Sequence, residues 1–498
     1  MKPLYKIALF GVYSLIYFLL GYLNYSHAGK FVLMGILFVG SFVFLYYYKP
    51  NRATKIVAFV AIFIMLLHIA YRAILHDVFH MNQDAIAVIE SIFSTNYQEG
   101  VEFFKQYWYY ILKHIALFIL FLGTYSYLIF WYKNSSKVTL RALVVVFSLF
   151  LLIHLNPIRR SNPLYFYPHY YKLWQKSLKD AKNLKAHINS KIRSLKLSVN
   201  YQGKDSSRVV VWIIGESSTR VNWSLYGYKR DTTPKIDSIK NELFVVKNAI
   251  SAGPITIPSI ERMLTSATKQ NPNVWKDVPS VIDYAKMAGY KTYWITNHST
   301  DNIGILNVLA SSANSFVQTN KGSSRGEGSL DSMLLKPFKE ALEDSANKKF
   351  IVVHMLGSHP AYNFRYPKEY GKFTYTLNDE VMQNLKAKGR ASWALVFRNT
   401  YDNSILYSDN IRYNLIDILK RKQPNNSALI YISDHGEDVC HNSNFSGHNP
   451  KAKEQWMPPM FIWPKKEATN LIDNSKSYKA DNLDKLLLKM LKISKDKQ

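Results

Sequence analysis

The chain has 498 residues, with 63 Lys and Arg against 35 Asp and Glu and a formal net charge of +28, and is long enough for two or three domains. Its single cysteine, Cys440, excludes an internal disulfide and any multi-cysteine metal site. The positive charge comes without a nucleic-acid-binding motif; beside an apolar first third it reads either as attraction to anionic lipid or as a solvated basic face with no specific partner.

Five apolar runs, at about residues 5–24, 31–48, 56–75, 107–132 and 140–155, approach the roughly 20 residues that span a bilayer. The first two also fit a tight hairpin. Lys2 and Lys6, then Lys49, Arg52 and Lys55, then Lys133, Lys137 and Arg141 fall on one side of these runs. That bias predicts a cytoplasmic N-terminus and places everything after residue 155 outside the cytoplasm. Arg159 and Arg160 lie on the unexpected side, as large translocated domains tolerate. Residues 1–156 are therefore read as a membrane domain.

The loop over 77–106 is more than a connector. Residues 84–93 carry apolar side chains at near-helical spacing and predict an amphipathic helix on the outer membrane–water interface. Thr95 and Glu99 follow one helical turn apart. They read as a contact for a cationic lipid headgroup, or, more commonly for such a pair, as an exposed helix face. Residues 157–205 open on Pro157 and Pro163 and continue with Tyr165, Tyr167, Tyr170, Tyr171 and Trp174. Prolines punctuate linkers and such aromatics suit the headgroup level, so a membrane-surface linker is expected.

From residue 206 to 498, short β-branched runs alternate with helical stretches, the pattern of an α/β sheet covered on both faces. Four of the runs end in polar clusters: Gly215-Glu216-Ser217-Ser218, Asn297-His298, Gly357-Ser358-His359 and Ser433-Asp434-His435-Gly436-Glu437. Open α/β sheets bind ligands beyond the carboxyl ends of their strands. Carboxylates with imidazole at such a place suit a divalent metal, zinc first and manganese as an alternative. Any one of these histidines alone reads as an ordinary structural residue; the convergence of four loops is the signal. Asn297 is included as a candidate substrate contact.

Three blocks carry a resemblance. Glu216-Ser-Ser-Thr-Arg220 is followed by Tyr226-Gly-Tyr-Lys-Arg-Asp-Thr-Thr-Pro234. Ser251-Ala-Gly-Pro-Ile-Thr256-Ile-Pro258-Ser259 is the second. Asp434-His435-Gly-Glu437 with Ser446-Gly-His448-Asn449 is the third. Together they resemble the phosphoethanolamine transferases of bacterial lipopolysaccharide, membrane-anchored members of the alkaline phosphatase and sulfatase superfamily, over nearly the whole chain. The resemblance implies an N-terminal five-helix transmembrane domain and a C-terminal α/β sulfatase-like domain in the periplasm, on the inner membrane. It implies a metal held by Glu216, Asp434, His435 and the nucleophile Thr256, with His359 and His448 touching phosphate and leaving group. On the sequence, His354 and His441 compete with those two, and Thr256 also fits a plain N-cap. The implied reaction moves phosphoethanolamine from phosphatidylethanolamine to a lipopolysaccharide or lipooligosaccharide acceptor, on a core sugar or lipid A, through a threonine-linked intermediate. The chain departs from the lipid A-modifying members in lacking disulfides and in carrying Ser91 where they often have Asn. Two other readings are a phosphoglycerol transferase of the same superfamily and a non-catalytic membrane sensor of lipid headgroups. The Tyr-Gly-Tyr block argues against the first, and the complete set of ligand types against the second.

Overall fold

A computed structural model describes residues 12, 16, 28–79, 97–131, 138–153, 157–194, 199–272, 274, 277–298, 308–320 and 330–495. The chain divides into two compact units, one of residues 1–89 and 107–176, the other of residues 90–106 and 177–498.

The first unit is helical. Its described helices are α1 (Ala28–Tyr48), α2 (Arg52–Phe79), α3 (Tyr97–Ser126, continued by a π turn over Tyr127–Trp131) and α4 (Leu140–Ile153). Three stretches, Lys30–Tyr48, Arg52–Val78 and Gly100–Trp131, are long and apolar enough to cross a membrane, and Leu140–Leu152 is a shorter apolar helix. Phe38, Met65, Phe121 and Phe150 are among the side chains packed inward, while Phe63, Leu67, Ile119 and Leu120 point outward. Apolar residues on both faces are what a helix surrounded by lipid requires. Asp77, where α2 ends, accepts from His114 at 2.9 Å and Lys113 at 3.2 Å. The expected run 5–24, apart from residues 12 and 16, and the amphipathic stretch 84–93 lie outside the described residues.

Where a linker is expected, the chain forms a 32-residue helix, α5 (Pro163–Ser194). Pro163 takes the first helical position, where a missing N–H costs nothing. Asn162 Oδ1 accepts the Leu164 N–H at 3.0 Å as an N-cap does. The proline thus starts a helix instead of breaking one, and the division between the two units falls inside α5.

The second unit is built on a seven-stranded sheet. Its strands are β1 (Arg208–Gly215), β2 (Phe244–Val245), β3 (Lys291–Thr296), β4 (Ser315–Gln318), β5 (Lys348–His354), β6 (Ser427–Ser433) and β7 (Met460–Trp463), in the order β2-β7-β6-β1-β5-β3-β4. The strands from β6 to β4 run parallel, and β7 is antiparallel to both its neighbours. Every residue of β1 is buried, as a central parallel strand covered on both faces must be. Val210, Trp212 and Ile214 pack with Ile260, Met263 and Leu264 of α6 (Thr256–Leu264). Val209, Val211 and Ile213 pack on the other face with Ile405, Leu415 and Leu419 of α7 (Ser392–Lys422). The register pairs Ile214 with His354 and Gly215 with Ser433. Consequently Glu216, Met355 and Asp434 leave three adjacent strands at the same level.

Candidate metal centre

Glu216, Asp434 and His435 follow directly on β1 and β6, and all three are buried to within 1%. Their nearest ligand atoms lie within 4.8 Å of one another. The Glu216 turn is tightly set: Ser217 has a φ of 52°, and Gly357 (φ 51°) presses so close that an added Cβ would stand 3.0 Å from the Glu216 backbone. Positive φ at a non-glycine residue is a strain that surrounding structure must impose. Glu216 Oε1 accepts the Ser217 hydroxyl at 2.7 Å. Asp434 Oδ1 accepts the Ser217 N–H at 3.1 Å and the His435 N–H at 2.7 Å, while its buried Oδ2 has no partner. His435 Nδ1 faces the Gly436 carbonyl at 2.7 Å. That contact fixes the proton on Nδ1 and leaves the Nε2 lone pair directed inward, 3.3 Å from Asp434 Oδ2 and 3.6 Å from Glu216 Oε1.

Thr256 is the first residue of α6, with Ile255 at the cap position and no side-chain cap bond. Its hydroxyl turns instead toward the carboxylates, donating to Glu216 Oε2 at 3.1 Å and lying 3.5 Å from His435 Nε2. The plain N-cap reading of Thr256 therefore does not describe this geometry.

Burial, and next the Asp434 charge, push the Glu216 carboxyl well above its usual range. Burial also lowers His435. Among the described residues no Lys or Arg forms an ion pair with Glu216 or Asp434. Two buried carboxylates, an orphaned oxygen, a neutral imidazole lone pair and a hydroxyl make a donor set that fits a divalent cation such as zinc.

Five further histidines bear on the site. His448 Nδ1 lies 3.0 Å from Glu437 Oε2, and its ring is 4.9 Å from that of His435. Burial alone would lower His448, but the Glu437 charge outweighs it and the net shift is upward. His359 is held far below the usual imidazole value by burial and by Arg365, and its buried Nδ1 has no partner. His354 stacks on His298 with centroids 4.1 Å apart. His441 is tied into the frame, its Nε2 2.8 Å from Asn222 Oδ1 and its Nδ1 accepting the Val439 N–H. Of the two rivals His441 and His448, only His448 stands beside His435.

Asn297, the candidate substrate contact, is fully buried; its amide donates to Asp331 Oδ1 at 2.9 Å and its carbonyl accepts the Thr319 hydroxyl at 2.8 Å, which ties it to the neighbouring loops. Its neighbour His298 reaches the cluster, 3.8 Å from Glu216 Oε2. Glu437, the last residue of the Asp-His-Gly-Glu run, orients His448, a role that the run signals only by placing a carboxylate two residues beyond His435. Thr95 lies outside the described residues, and of Glu99 only its place in α3 is described.

The sulfatase family pattern matches residues 208–490 of this chain, the whole span from β1 to the last helix. Phosphoethanolamine transferase EptC of Escherichia coli strain K12 is 36% identical over 265 residues, 51% of this chain and 45% of that protein. The chain thus spans about half the length of the curated relatives it matches. The crystal structure of the C-terminal periplasmic domain of E. coli EptC, a complex with zinc, matches 60% of this chain and 86% of its own at 33% identity and a TM-score of 0.55. The integral membrane lipooligosaccharide phosphoethanolamine transferase A of Neisseria meningitidis matches 99% of this chain and 94% of its own, with a TM-score of 0.63 at 22% identity, a likeness of fold. With a carboxylate–histidine–threonine cluster at the strand ends and the family pattern over the same residues, the chain belongs to the sulfatase family, and the relatives it resembles there are phosphoethanolamine transferases.

Proposed function

We propose that this protein transfers phosphoethanolamine from phosphatidylethanolamine to a lipopolysaccharide or lipooligosaccharide acceptor. The observation that carries the reading is the Thr256 hydroxyl, aimed out of a helix start at the Glu216 carboxylate, beside Asp434, where among the described residues no Lys or Arg forms an ion pair with either acid. Its support is the 33% identity with a zinc-bound EptC domain over these residues. We take the organisation to be a five-span membrane domain over 1–156 with an interfacial loop over 77–106, a surface segment over 157–205 and a periplasmic catalytic domain over 206–498, anchored in the inner membrane. Three candidate spans and the fold likeness to the N. meningitidis protein support it.

Glu216, Asp434, His435 and Thr256 are the residues that would hold zinc. When bound, the ion lowers the pKa of the Thr256 hydroxyl and neutralises charge on phosphate oxygens. Thr256 Oγ1 attacks the phosphorus of the donor, and the bond from phosphorus to the diacylglycerol oxygen breaks. A histidine gives that oxygen its proton. His448 suits the task, since Glu437 occupies Nδ1 and leaves Nε2 to carry a transferable proton. His359 is the alternative donor. The acceptor hydroxyl then attacks the same phosphorus, passes its proton to the histidine, and the bond to Thr256 breaks. Thr95 and Glu99 remain candidates for the ethanolamine ammonium.

The test is Thr256→Ala in a deletion strain, read by mass spectrometry of the envelope glycolipid. Loss of transfer on the order of 10⁴-fold or more is expected for a missing nucleophile, with folding retained and zinc left to its three remaining ligands. An acceptor still carrying the group would remove Thr256 from the role. An added glycerol phosphate instead would identify a phosphoglycerol transferase.

A further inference from the structure

Residues 97–106, the start of α3, belong to the second unit, whereas the helix from Tyr107 onward belongs to the first. This segment ends at a break: Tyr107 has φ −107° and ψ 18° inside an otherwise helical run. Two side chains one turn apart on this segment, Glu102 and Gln106, are buried at 7% and 6% exposure. Both engage the loop that carries His359. Glu102 Oε2 pairs with the Arg365 guanidinium, itself buried. Arg365 in turn donates to the carbonyl oxygens of His359 at 3.2 Å and Pro360 at 2.9 Å. Gln106 Oε1 accepts the backbone N–H of Ala361. Lys105 lies over the Phe364 ring at 5.7 Å.

Ala361 has φ 67° and ψ 50°, a left-handed conformation that a residue with a Cβ adopts only under constraint. The constraint comes from the two ends just named. Without Gln106 a buried N–H is orphaned, and without Glu102 a buried guanidinium loses its counter-charge; either change is costly. The same loop continues to Tyr362, whose hydroxyl donates to Glu437 Oε1 at 3.0 Å, the carboxylate that holds His448. One strained turn therefore connects the backbone of His359 with the support of His448, and side chains from the first turns of α3 hold it.

We propose that Glu102 and Gln106, acting through Arg365 and Ala361, are positioning residues that set His359 for proton or phosphate contact. A membrane-proximal helix thereby fixes the geometry of the reacting site. The inference rests on the proposed role of His359, but the clamp itself is measurable without it.

The experiment uses the full chain in detergent, as wild type, Glu102→Ala, Glu102→Gln and Gln106→Ala. Hydrogen exchange of the peptide covering 359–365 is read alongside kcat and KM for phosphatidylethanolamine, with zinc content as a control. Glu102→Ala and Gln106→Ala should speed exchange in that peptide by about tenfold or more, since local opening sets the rate. They should lower kcat by roughly 10- to 100-fold, as small misplacements do, with KM within about twofold and zinc content unchanged. Glu102→Gln, which keeps an acceptor oxygen but not the counter-charge, should fall between wild type and Glu102→Ala in both exchange and kcat. Unchanged exchange in the alanine variants overturns the clamp. Faster exchange with kcat within about twofold of wild type overturns its positioning role. A wild type that transfers no phosphoethanolamine refutes the proposed function, and the exchange data then decide the clamp alone.

Discussion

Two buried acidic clusters in the same domain are built in opposite ways. Asp402, on α7, is fully buried and every oxygen is met: Oδ1 accepts from Asn222 at 2.7 Å, and Oδ2 from Arg230 and from the Tyr228 hydroxyl, each at 2.7 Å. Arg230 also donates to Asp379 at 2.6 Å. The second cluster, Glu216 with Asp434, has the same burial, and among the described residues no Lys or Arg pairs with it and Asp434 Oδ2 accepts no hydrogen bond. Burying a charge without a partner is among the most expensive things a fold can do. A chain that answers the cost in full around Asp402, and shows no such partner around Asp434 among the described residues, supports the cation proposed for the second place.

The difference is broken most directly at Asp434. Asp434→Asn removes one charge of an uncompensated pair, so the chelator-treated protein should melt higher than chelator-treated wild type. Zinc at about 100 times its Kd should stabilise wild type by ~2.7 kcal/mol and the variant hardly at all. Transfer activity should fall by on the order of 100-fold or more, as when a charge-stabilising group is removed. Thermal melts with and without zinc check the first two outcomes, and glycolipid mass spectrometry the third. A variant that melts lower without zinc would mean that Asp434 is a structural carboxylate like Asp402.

The converse change is made at Arg230. Arg230→Met leaves Asp402 buried without its counter-charge, and a broken buried pair costs about 3–5 kcal/mol. Urea unfolding should report that loss in zinc-loaded and zinc-free protein alike. If zinc restored the stability, the two clusters would be coupled and the contrast between them false.

Much of this architecture is legible in the sequence because it follows from strand ends. Val209–Ile214 and Leu429–Ile432 are apolar runs bounded by Glu216 and Asp434, and parallel strands deliver such residues to one edge. The choice between Asn297 and His298 is not legible. Successive residues face opposite ways where a strand ends, and the parity is settled only by the register of β3 against β5. Nor can Glu102 and Arg365, 263 positions apart, be paired from composition. Their neighbours give no period, and the pairing depends on where α3 breaks at Tyr107. The helix over 163–194 was hidden by its own prolines, which mark a loop and a helix start equally well.

A third carboxylate sharpens the comparison, with the smallest effect. Asp409 is buried on α7, its two oxygens accepting the backbone N–H groups of Lys235 at 2.8 Å and Ile236 at 3.2 Å. Burial raises it to about 7, against the opposing charge of Arg412. It therefore meets the cost of burial by holding a proton, where Asp402 takes an arginine and Asp434 awaits a cation. The sign follows from linkage: between about pH 4, where the unfolded carboxyl ionises, and about pH 7, the native protein binds more protons at this site. Stability should fall with rising pH through that window, by at most about 1.4 kcal/mol per pH unit, and this contribution should level off above it. Asp409→Asn should erase that slope while lowering stability by a constant amount, because a carboxamide offers only one oxygen to the two N–H groups. Urea midpoints at several pH values measure both. A slope that survives the substitution would mean that Asp409 is ionised throughout the window and that the N–H groups with Arg412 suffice, which would place it with Asp402.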